Sequence, residues 1–188
     1  MVPARCESDA PPAACLLTGG SALAHGPAMT GENHMREEEI RGRTPMALAL
    51  EEARLAAARG EVPVGAVVVD ARGQVLARAG NRVMELRDPT AHAELLAIRE
   101  AAARINSERL VDCDLYVTLE PCAMCAQAIS FARLRRLYFG ASDPKGGGVE
   151  HGARIFEQPT CHHRPEIYGG LSESRAAAIL REFFATRR

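Results

Sequence analysis

The sequence lacks several features that mark specialised classes of protein. It has 188 residues and no tryptophan, and only 4% of its residues are aromatic. The core is therefore expected to consist mainly of leucine, valine, isoleucine and alanine. No apolar run approaches the roughly 18 to 20 residues that a membrane-spanning helix needs, and no secretory signal is evident. These absences favour a cytoplasmic protein that does not bind membranes.

An excess of positive charge is also missing, since the formal net charge is −1 and Lys145 is the sole lysine. A near-neutral total gives no global sign of nucleic-acid binding, although it is compatible with a local basic groove. Six cysteines are present, but disulfide frameworks belong mainly to small secreted chains. In a chain long enough to bury a core, these cysteines are better interpreted as metal ligands and buried thiols.

The composition changes along the chain. Residues 1–44 are rich in proline, glycine, alanine and serine without sustained periodicity, so we predict a disordered extension there and one folded domain over residues 45–188. Helices are predicted at 46–59, 91–104, 122–132 and 172–187, strands at 64–69, 74–78, 114–119, 136–139 and near 167, and loops at 80–90 and 140–152. Strands alternating with helices after an initial hairpin predict a layered α/β fold.

Two short motifs carry the chemistry. Residues 90–94 contain His92 and Glu94, and residues 119–125 contain Cys122 and Cys125 on a helix that Pro121 is expected to open. The spacing of the cysteines places them on one face of that helix. Together with His92 they provide three zinc ligands and leave the fourth position open, as in catalytic zinc sites. The predicted helix N-termini favour the thiolate forms.

Glu94 follows His92 by two residues and is expected to shuttle protons without binding the metal. Zinc would lower the pKa of a water at the open position. Glu94 would take a proton from this water and return protons to the ring nitrogen and the leaving amine of an amidine-like base. The predicted reaction is a hydrolytic deamination that releases ammonia.

Other interpretations of the cysteine motif stay open at this point. A structural zinc site would need a fourth ligand, and the candidates are Cys113, Cys161, His162 and His163. A redox pair would leave His92 and Glu94 without a role.

With both motifs placed, the chain resembles the cytidine-deaminase-like superfamily, whose zinc signature is H-x-E followed by P-C-x-x-C. Within it, the chain looks like a bacterial tRNA-specific adenosine deaminase from about Met46 onward. The strings that carry this resemblance lie at residues 61–66, 81–82, 88–94, 115–122 and 139–145. The resemblance implies a three-layer α/β/α fold with a central five-stranded mixed sheet, one zinc ion per subunit and a homodimer. It also implies conversion of adenosine to inosine at the wobble position of a tRNA anticodon, with an arginine tRNA of anticodon ACG as the expected substrate.

The resemblance also assigns roles to individual residues. His92, Cys122 and Cys125 bind zinc, and Glu94 is the proton shuttle. For the substrate, Asn81 would contact the flipped nucleoside, Val64 and Ala91 would line the base pocket, and Asp143 and Lys145 would lie beside the neighbouring nucleotides. Structural interpretations compete with these roles: Asn81 as a turn former, Val64 as strand core, Lys145 as a solvated side chain, and Asp88 or Thr90 as a helix N-cap.

An anticodon loop is single-stranded, so its base can enter a pocket without the opening of a duplex. The last predicted helix is expected to present an apolar face to the sheet and a basic face to phosphates. Its arginines and phenylalanines are Arg175, Arg181, Arg187, Arg188, Phe183 and Phe184, and Arg133, Arg135 and Arg136 add positive charge near the third helix.

The sequence departs from the family pattern in residues 1–44, in the apolar segment 83–86 and in the glycine-rich segment 146–152. Two alternative hypotheses for the function therefore stay open. One is deamination of a free base or nucleoside, such as guanine, cytosine or cytidine. The other is a non-catalytic RNA-binding partner subunit, which the presence of Glu94 disfavours.

Overall fold

The computed structural model describes residues 43–187, so the predicted disordered extension lies outside the described residues apart from Arg43 and Thr44. The helices are α1 (Pro45–Ala58), α2 (Val83–Leu86), α3 (Ala93–Ile105), α4 (Ala123–Ala132) and α5 (Glu173–Ala185), and a 3-10 turn spans Ile155–Glu157. The strands are β1 (Gly65–Val69), β2 (Val75–Gly80), β3 (Asp114–Leu119), β4 (Arg136–Ala141) and β5 (Glu166–Tyr168). All the predicted helices and strands are confirmed with small shifts at their ends.

The five strands form one mixed sheet in the order β2-β1-β3-β4-β5. β1 runs antiparallel to both of its neighbours, whereas β3, β4 and β5 are parallel to one another. The two parallel connections pass through α4 and through the segment that follows β4. The carboxyl ends of β3 and β4 therefore lie at the same edge of the sheet, where the chain turns toward α4.

Alternation along β1 divides the core into two layers. Val67 and Val69 belong to a cluster with α1 and α5, and Ala66 and Val68 belong to a second cluster with α3 and α4. Because successive strand residues point to opposite faces, one strand can serve both layers. The three-layer α/β/α fold with a central five-stranded mixed sheet is thus confirmed.

Two local expectations need correction. The predicted loop over residues 80–90 contains α2, because the buried carboxylate of Glu61 accepts hydrogen bonds from the first amides of that helix, Met84 N and Glu85 N, each at 2.9 Å. The expectation that Pro121 opens the third predicted helix is also wrong, because Cys122 is the N-cap of α4 and its first helical residue is Ala123.

Within residues 43–187, no helix has both the length and the apolar character needed to cross a membrane.

The close packing of α1 on β1 depends on Gly65. A Cβ atom at this position would overlap the carbonyl oxygen of Ala49 and lie 2.6 Å from the amide nitrogen of Ala53. We expect Gly65→Ala to lower the melting temperature by about 10 °C or more, or to give insoluble protein, because backbone atoms of α1 would have to move. Thermal unfolding followed by circular dichroism measures the shift.

Gly73→Ala is the matched control. Gly73 lies in the β1–β2 turn with φ +79°, and an added Cβ there meets no atom within 4 Å. Only the conformational cost of about 1 kcal/mol applies, so the melting temperature should fall by about 2–4 °C. Equal shifts for the two variants would show that the contact between α1 and β1 is not tight.

Candidate active site

The first part of the site lies where α3 begins. His92 is the N-cap of this helix and Glu94 lies in its first turn. The preceding turn is closed by Asp88, whose Oδ1 accepts hydrogen bonds from the amide and the hydroxyl of Thr90 at 2.8 and 2.7 Å. The expectation that Asp88 or Thr90 caps the helix is therefore wrong. These residues instead shape the turn that leads into His92.

The second part lies where α4 begins, directly after β3. Cys122 is the N-cap of α4, and Cys125 lies in its first turn with its side chain fully buried. The structure brings both thiols to His92, with Nδ1 of the imidazole 3.7 Å from Cys122 Sγ and 3.5 Å from Cys125 Sγ. The predicted meeting of the two motifs is thus observed, although they are some 30 residues apart in sequence.

The geometry fits a tetrahedral zinc ion. Zinc bonds of about 2.3 Å to sulfur and 2.0 Å to nitrogen at tetrahedral angles would separate the sulfur and nitrogen ligands by about 3.5 Å, close to the observed distances. Among the residues that the structure describes, His92, Cys122 and Cys125 are the one group of three side chains placed to hold a metal ion. The donor set of one imidazole and two thiols suits zinc.

The other candidates for a structural zinc site are used elsewhere. Cys161 Sγ lies 3.4 Å from Ser130 Oγ and donates to the carbonyl oxygen of His163 at 3.1 Å. Nε2 of His163 lies 2.7 Å from the carbonyl oxygen of Leu134. These contacts fasten the segment before β5 to the C-terminal end of α4, and they supply no fourth ligand to the cluster at His92.

The two thiols are electrostatically different. A hydrogen bond from Cys125, supported by His92, lowers the pKa of Cys122 to about 4. The same hydrogen bond raises the pKa of Cys125, and burial acts in the same direction. A divalent cation would favour the thiolate form of both, and the N-terminus of α4 adds to this preference.

Glu94 faces this cluster from a buried position. Only 4% of the residue is exposed, and burial raises the pKa of its carboxyl. A carboxyl whose pKa lies above its usual range is suited to accept a proton and then return it near neutral pH.

The residues predicted for the base pocket are linked by hydrogen bonds to the start of α3. The amide of Asn81 donates to Val64 O at 3.0 Å, and the amide of Arg82 donates to Ala91 O at 3.1 Å. Asn81 Oδ1 accepts a hydrogen bond of 2.8 Å from the amide of Ala93, between His92 and Glu94. Val64 and Ala91 are buried. The structure thus brings Val64, Asn81 and Ala91 together with the metal cluster.

Asp143 and Lys145 lie on the loop that follows β4. Asp143 Oδ1 accepts hydrogen bonds from the amides of Lys145 and Gly146, at 3.1 and 3.0 Å, and the Lys145 side chain is exposed. The loop reaches the metal cluster through an antiparallel bridge between Gly147 and Cys122. Asp143 therefore organises this loop in addition to any contact that it makes with a substrate.

Comparisons with known proteins agree with this geometry. Residues 41–141 match the cytidine and deoxycytidylate deaminase zinc-binding region. A tRNA-specific adenosine deaminase of Agrobacterium fabrum is 63% identical over 143 residues, which cover 76% of this chain and 93% of that protein.

The chain belongs to the zinc-binding cytidine and deoxycytidylate deaminase family.

Two solved structures extend the comparison. A structure from a study of A-to-I editing by tRNA:A34 deaminases at the wobble position of transfer RNA has a TM-score of 0.71 and 63% identity, and the match covers 72% of this chain and 98% of that one. A guanine deaminase from Nitrosomonas europaea has a TM-score of 0.65 and 27% identity, covering 75% of this chain and 83% of that one. This deaminase therefore shares its fold with enzymes that act on different bases.

The predicted basic surface is smaller in this deaminase than the sequence suggested. Arg135 forms a two-point ion pair with Asp114 at 2.8 and 2.9 Å, and Arg136 pairs with Glu166 at 2.8 Å. Their charges are thus largely compensated. On α5, Ala176 and Phe183 are buried, as expected for the apolar face, and Arg188 lies outside the described residues.

A groove of about 920 Å³ carries more positive than negative charge. Three cationic side chains and one carboxylate line it together with apolar groups, and these residues are Lys145, Arg181, Arg187, Asp143, Val62, Leu119 and Phe184. Arg187 also lies 3.7 Å above the ring of Phe183 and donates to the carbonyl oxygen of Gly60 at 3.2 Å, which fastens the end of α5 to the turn before β1.

One residue of the site was missed by reasoning from the sequence. Glu120 is buried directly before Pro121 and accepts hydrogen bonds from the loop that carries Asp143. Two features of the sequence could have pointed to this residue. Glu120 lies directly beside the cysteine motif, and the glycine-rich segment at 146–152 offers backbone N–H groups that a carboxylate could bind.

The zinc assignment predicts different effects of two cysteine substitutions. Cys125→Ser replaces a buried ligand with a weaker one, so we expect the zinc content per chain to fall by about tenfold or more. Cys161→Ser is the control, because a serine hydroxyl can reproduce its contacts with Ser130 and His163. Atomic emission spectroscopy of dialysed protein gives the zinc content, and an equal loss from both variants would contradict the assignment.

Proposed function

We propose that this deaminase converts adenosine to inosine at the wobble position of a tRNA anticodon, and that an arginine tRNA with anticodon ACG is its substrate. The observation that carries the proposal is the 63% identity to a tRNA-specific adenosine deaminase over 93% of that protein. The pairing of Glu94 with a His92, Cys122 and Cys125 metal cluster supports catalysis by the same chain.

Zinc, when bound at the cluster, supplies a water of lowered pKa beside the base. Glu94 would accept the first proton of that water, since burial raises the pKa of its carboxyl, and would deliver it to the ring nitrogen as the water oxygen adds to the ring carbon that bears the amine. It would then carry the second proton from the added oxygen to the amine, which leaves as ammonia. Val64 and Ala91 line the walls of the base pocket, and because both are buried they limit the access of bulk water to it.

The groove beside the site supports an RNA substrate. Phe184, with 48% of its surface exposed, offers a face on which a base can stack, and the guanidinium groups of Arg181 and Arg187 are placed for phosphates. Lys145 adds a third positive charge to the lining of the groove. We further propose one zinc ion per subunit and a homodimer, as the family resemblance implies, and a cytoplasmic location stays a prediction.

Deamination of free guanine is the second candidate, and it rests on the structural similarity to the Nitrosomonas europaea guanine deaminase. Its identity to this chain is only 27%, against 63% for the structure from the study of tRNA:A34 deaminases, and this difference disfavours guanine as the substrate.

A turnover assay tests the proposal. Zinc-loaded protein is incubated with an arginine tRNA transcript of anticodon ACG, and inosine at the wobble position is detected by reverse transcription. We expect inosine in the tRNA and no ammonia from adenosine, cytidine or guanine supplied as free compounds. If a free compound releases ammonia while the tRNA stays unchanged, the zinc-dependent deamination is supported but tRNA is rejected as the substrate.

The same assay includes Glu94→Ala, for which we expect kcat to fall by roughly 10²- to 10⁴-fold with the zinc content and melting temperature retained. Glu100→Gln is its control, because Glu100 is an exposed glutamate on the same helix. Unchanged turnover by Glu94→Ala would remove the proposed proton shuttle.

Asn81 can be tested for a role in substrate binding separately from its role in the fold. Its Oδ1 accepts the hydrogen bond from Ala93, and its Nδ2 has no hydrogen-bond partner among the described residues. Asn81→Asp keeps the acceptor and loses the donor, so we expect a normal melting temperature and a kcat/KM lowered by about tenfold or more. Asn81→Ala should lower both the melting temperature and kcat/KM, because it also removes the hydrogen bond from the amide of Ala93, worth about 1 kcal/mol. If Asn81→Asp has the kcat/KM of the wild-type protein, Asn81 has only a structural role and does not bind the substrate.

A further inference from the structure

A buried carboxylate joins the metal cluster to the loop at residues 143–151. The side chain of Glu120 has no exposed surface, although the residue is charged and lies only two positions before the ligand Cys122. A buried carboxylate is costly unless its lone pairs are satisfied. Its hydrogen-bond partners all come from this loop, which also carries Asp143 and Lys145.

The two carboxylate oxygens bind opposite ends of the loop. Oε1 accepts hydrogen bonds from the amides of Val149, Glu150 and His151, at 3.2, 2.9 and 2.9 Å. Oε2 accepts one from the amide of Asp143 at 3.0 Å and lies 2.7 Å from Nδ1 of His151. One side chain therefore closes the loop into a ring and fixes the amide of Asp143.

The donors around Glu120 fit a carboxylate. Backbone N–H groups point at both of its oxygens, and a protonated carboxyl group would place its own hydrogen against one of these donors. Hydrogen bonds to an ionised acceptor are stronger than those between neutral groups.

Glycines allow the loop to approach this carboxylate and the metal-bearing turn. A Cβ at Gly147 would lie 2.6 Å from the carboxyl carbon of Glu120, and a Cβ at Gly148 would lie 2.5 Å from the amide nitrogen of Ala123. The amide of Gly148 donates to the carbonyl oxygen of Pro121 at 2.8 Å. The glycine-rich segment that departs from the family pattern is thus explained by close contact with the first residues of α4.

We propose that Glu120 is a positioning residue for the substrate, which holds Asp143 and Lys145 at a fixed distance from the zinc ligands. The proposal rests on the proposed function only in taking these two residues to contact the RNA. Glu120 itself touches neither the base nor the metal. Its effect on catalysis is transmitted through the backbone of the loop, and it should appear chiefly in KM.

Glu120→Gln is the test variant, because glutamine keeps the volume of the side chain. In either orientation of the amide, its NH₂ group faces backbone N–H donors of the loop. We expect zinc content to be unchanged and amide hydrogen exchange at residues 143 and 149–151 to accelerate by about tenfold or more. The KM for tRNA should rise by about tenfold or more, and kcat should change less than KM.

Glu150→Gln is the matched control, since Glu150 is an exposed glutamate on the same loop and only its backbone amide contacts Glu120. It should leave exchange, KM and kcat at wild-type values. Glu120→Asp retains a carboxylate and should recover part of the lost kcat/KM. If Glu120→Gln folds but shows lower kcat and zinc content with an unchanged KM, Glu120 supports the metal cluster and does not position the loop, and that result overturns the proposal.

His151→Ala is the second variant, for the case that Glu120→Gln does not fold. The His151 ring is 38% exposed, and its loss leaves the four backbone donors in place. We expect a KM increase of about threefold with faster exchange at Asp143. Wild-type exchange and KM in the variants would overturn the proposal.

The wild-type enzyme separates this inference from the proposed function. If wild-type protein deaminates a free base and not tRNA, the proposed function fails and the same KM comparison is made on that base. An unchanged KM for that base in Glu120→Gln would then overturn the positioning role as well.

Discussion

The site depends on the meeting of two helix N-termini at one edge of the sheet. His92 and Cys122 are both N-cap residues, so neither side chain is placed unless its helix begins at the right residue. The hydroxyl of Thr118 accepts a hydrogen bond of 3.1 Å from the amide of Gly65 and ties β3 to the start of β1. Asn81 continues this connection from β2 to α3. The metal cluster is therefore held by buried polar contacts that follow the edge of the sheet.

Much of this arrangement could be predicted from the sequence, because the relevant signals are local. Helix formers, apolar runs and turn residues predict the elements, and the spacing of Cys122 and Cys125 predicts their shared direction. The meeting of His92 with these cysteines was predicted from chemistry, since a zinc ion needs three ligands. The identity of the imidazole nitrogen that faces them, Nδ1, depends on the backbone of the preceding turn, which no spacing reveals.

The features that could not be predicted are long-range polar contacts. Helix α2 forms because Glu61, more than 20 residues earlier, accepts hydrogen bonds from its first amides. Glu120 similarly orders a loop that begins 23 residues later. The charges of Arg135 and Arg136 appeared free in the sequence because their partners, Asp114 and Glu166, lie on adjacent strands. In each case, the fold brings a carboxylate close to hydrogen-bond donors that are distant from it in the sequence.

The ion pairs of Arg135 and Arg136 affect how strongly RNA binding is expected to depend on the salt concentration. Because these charges are already paired, the cations available to an RNA strand in the proposed groove are Lys145, Arg181 and Arg187. A single strand that contacts three such cations would release about two condensed counterions, so its binding constant would fall with roughly the inverse second power of the salt concentration. Proteins with many phosphate contacts show a far steeper dependence. If RNA binds in this groove as proposed, its recognition would depend more on the fit of the strand than on the release of ions.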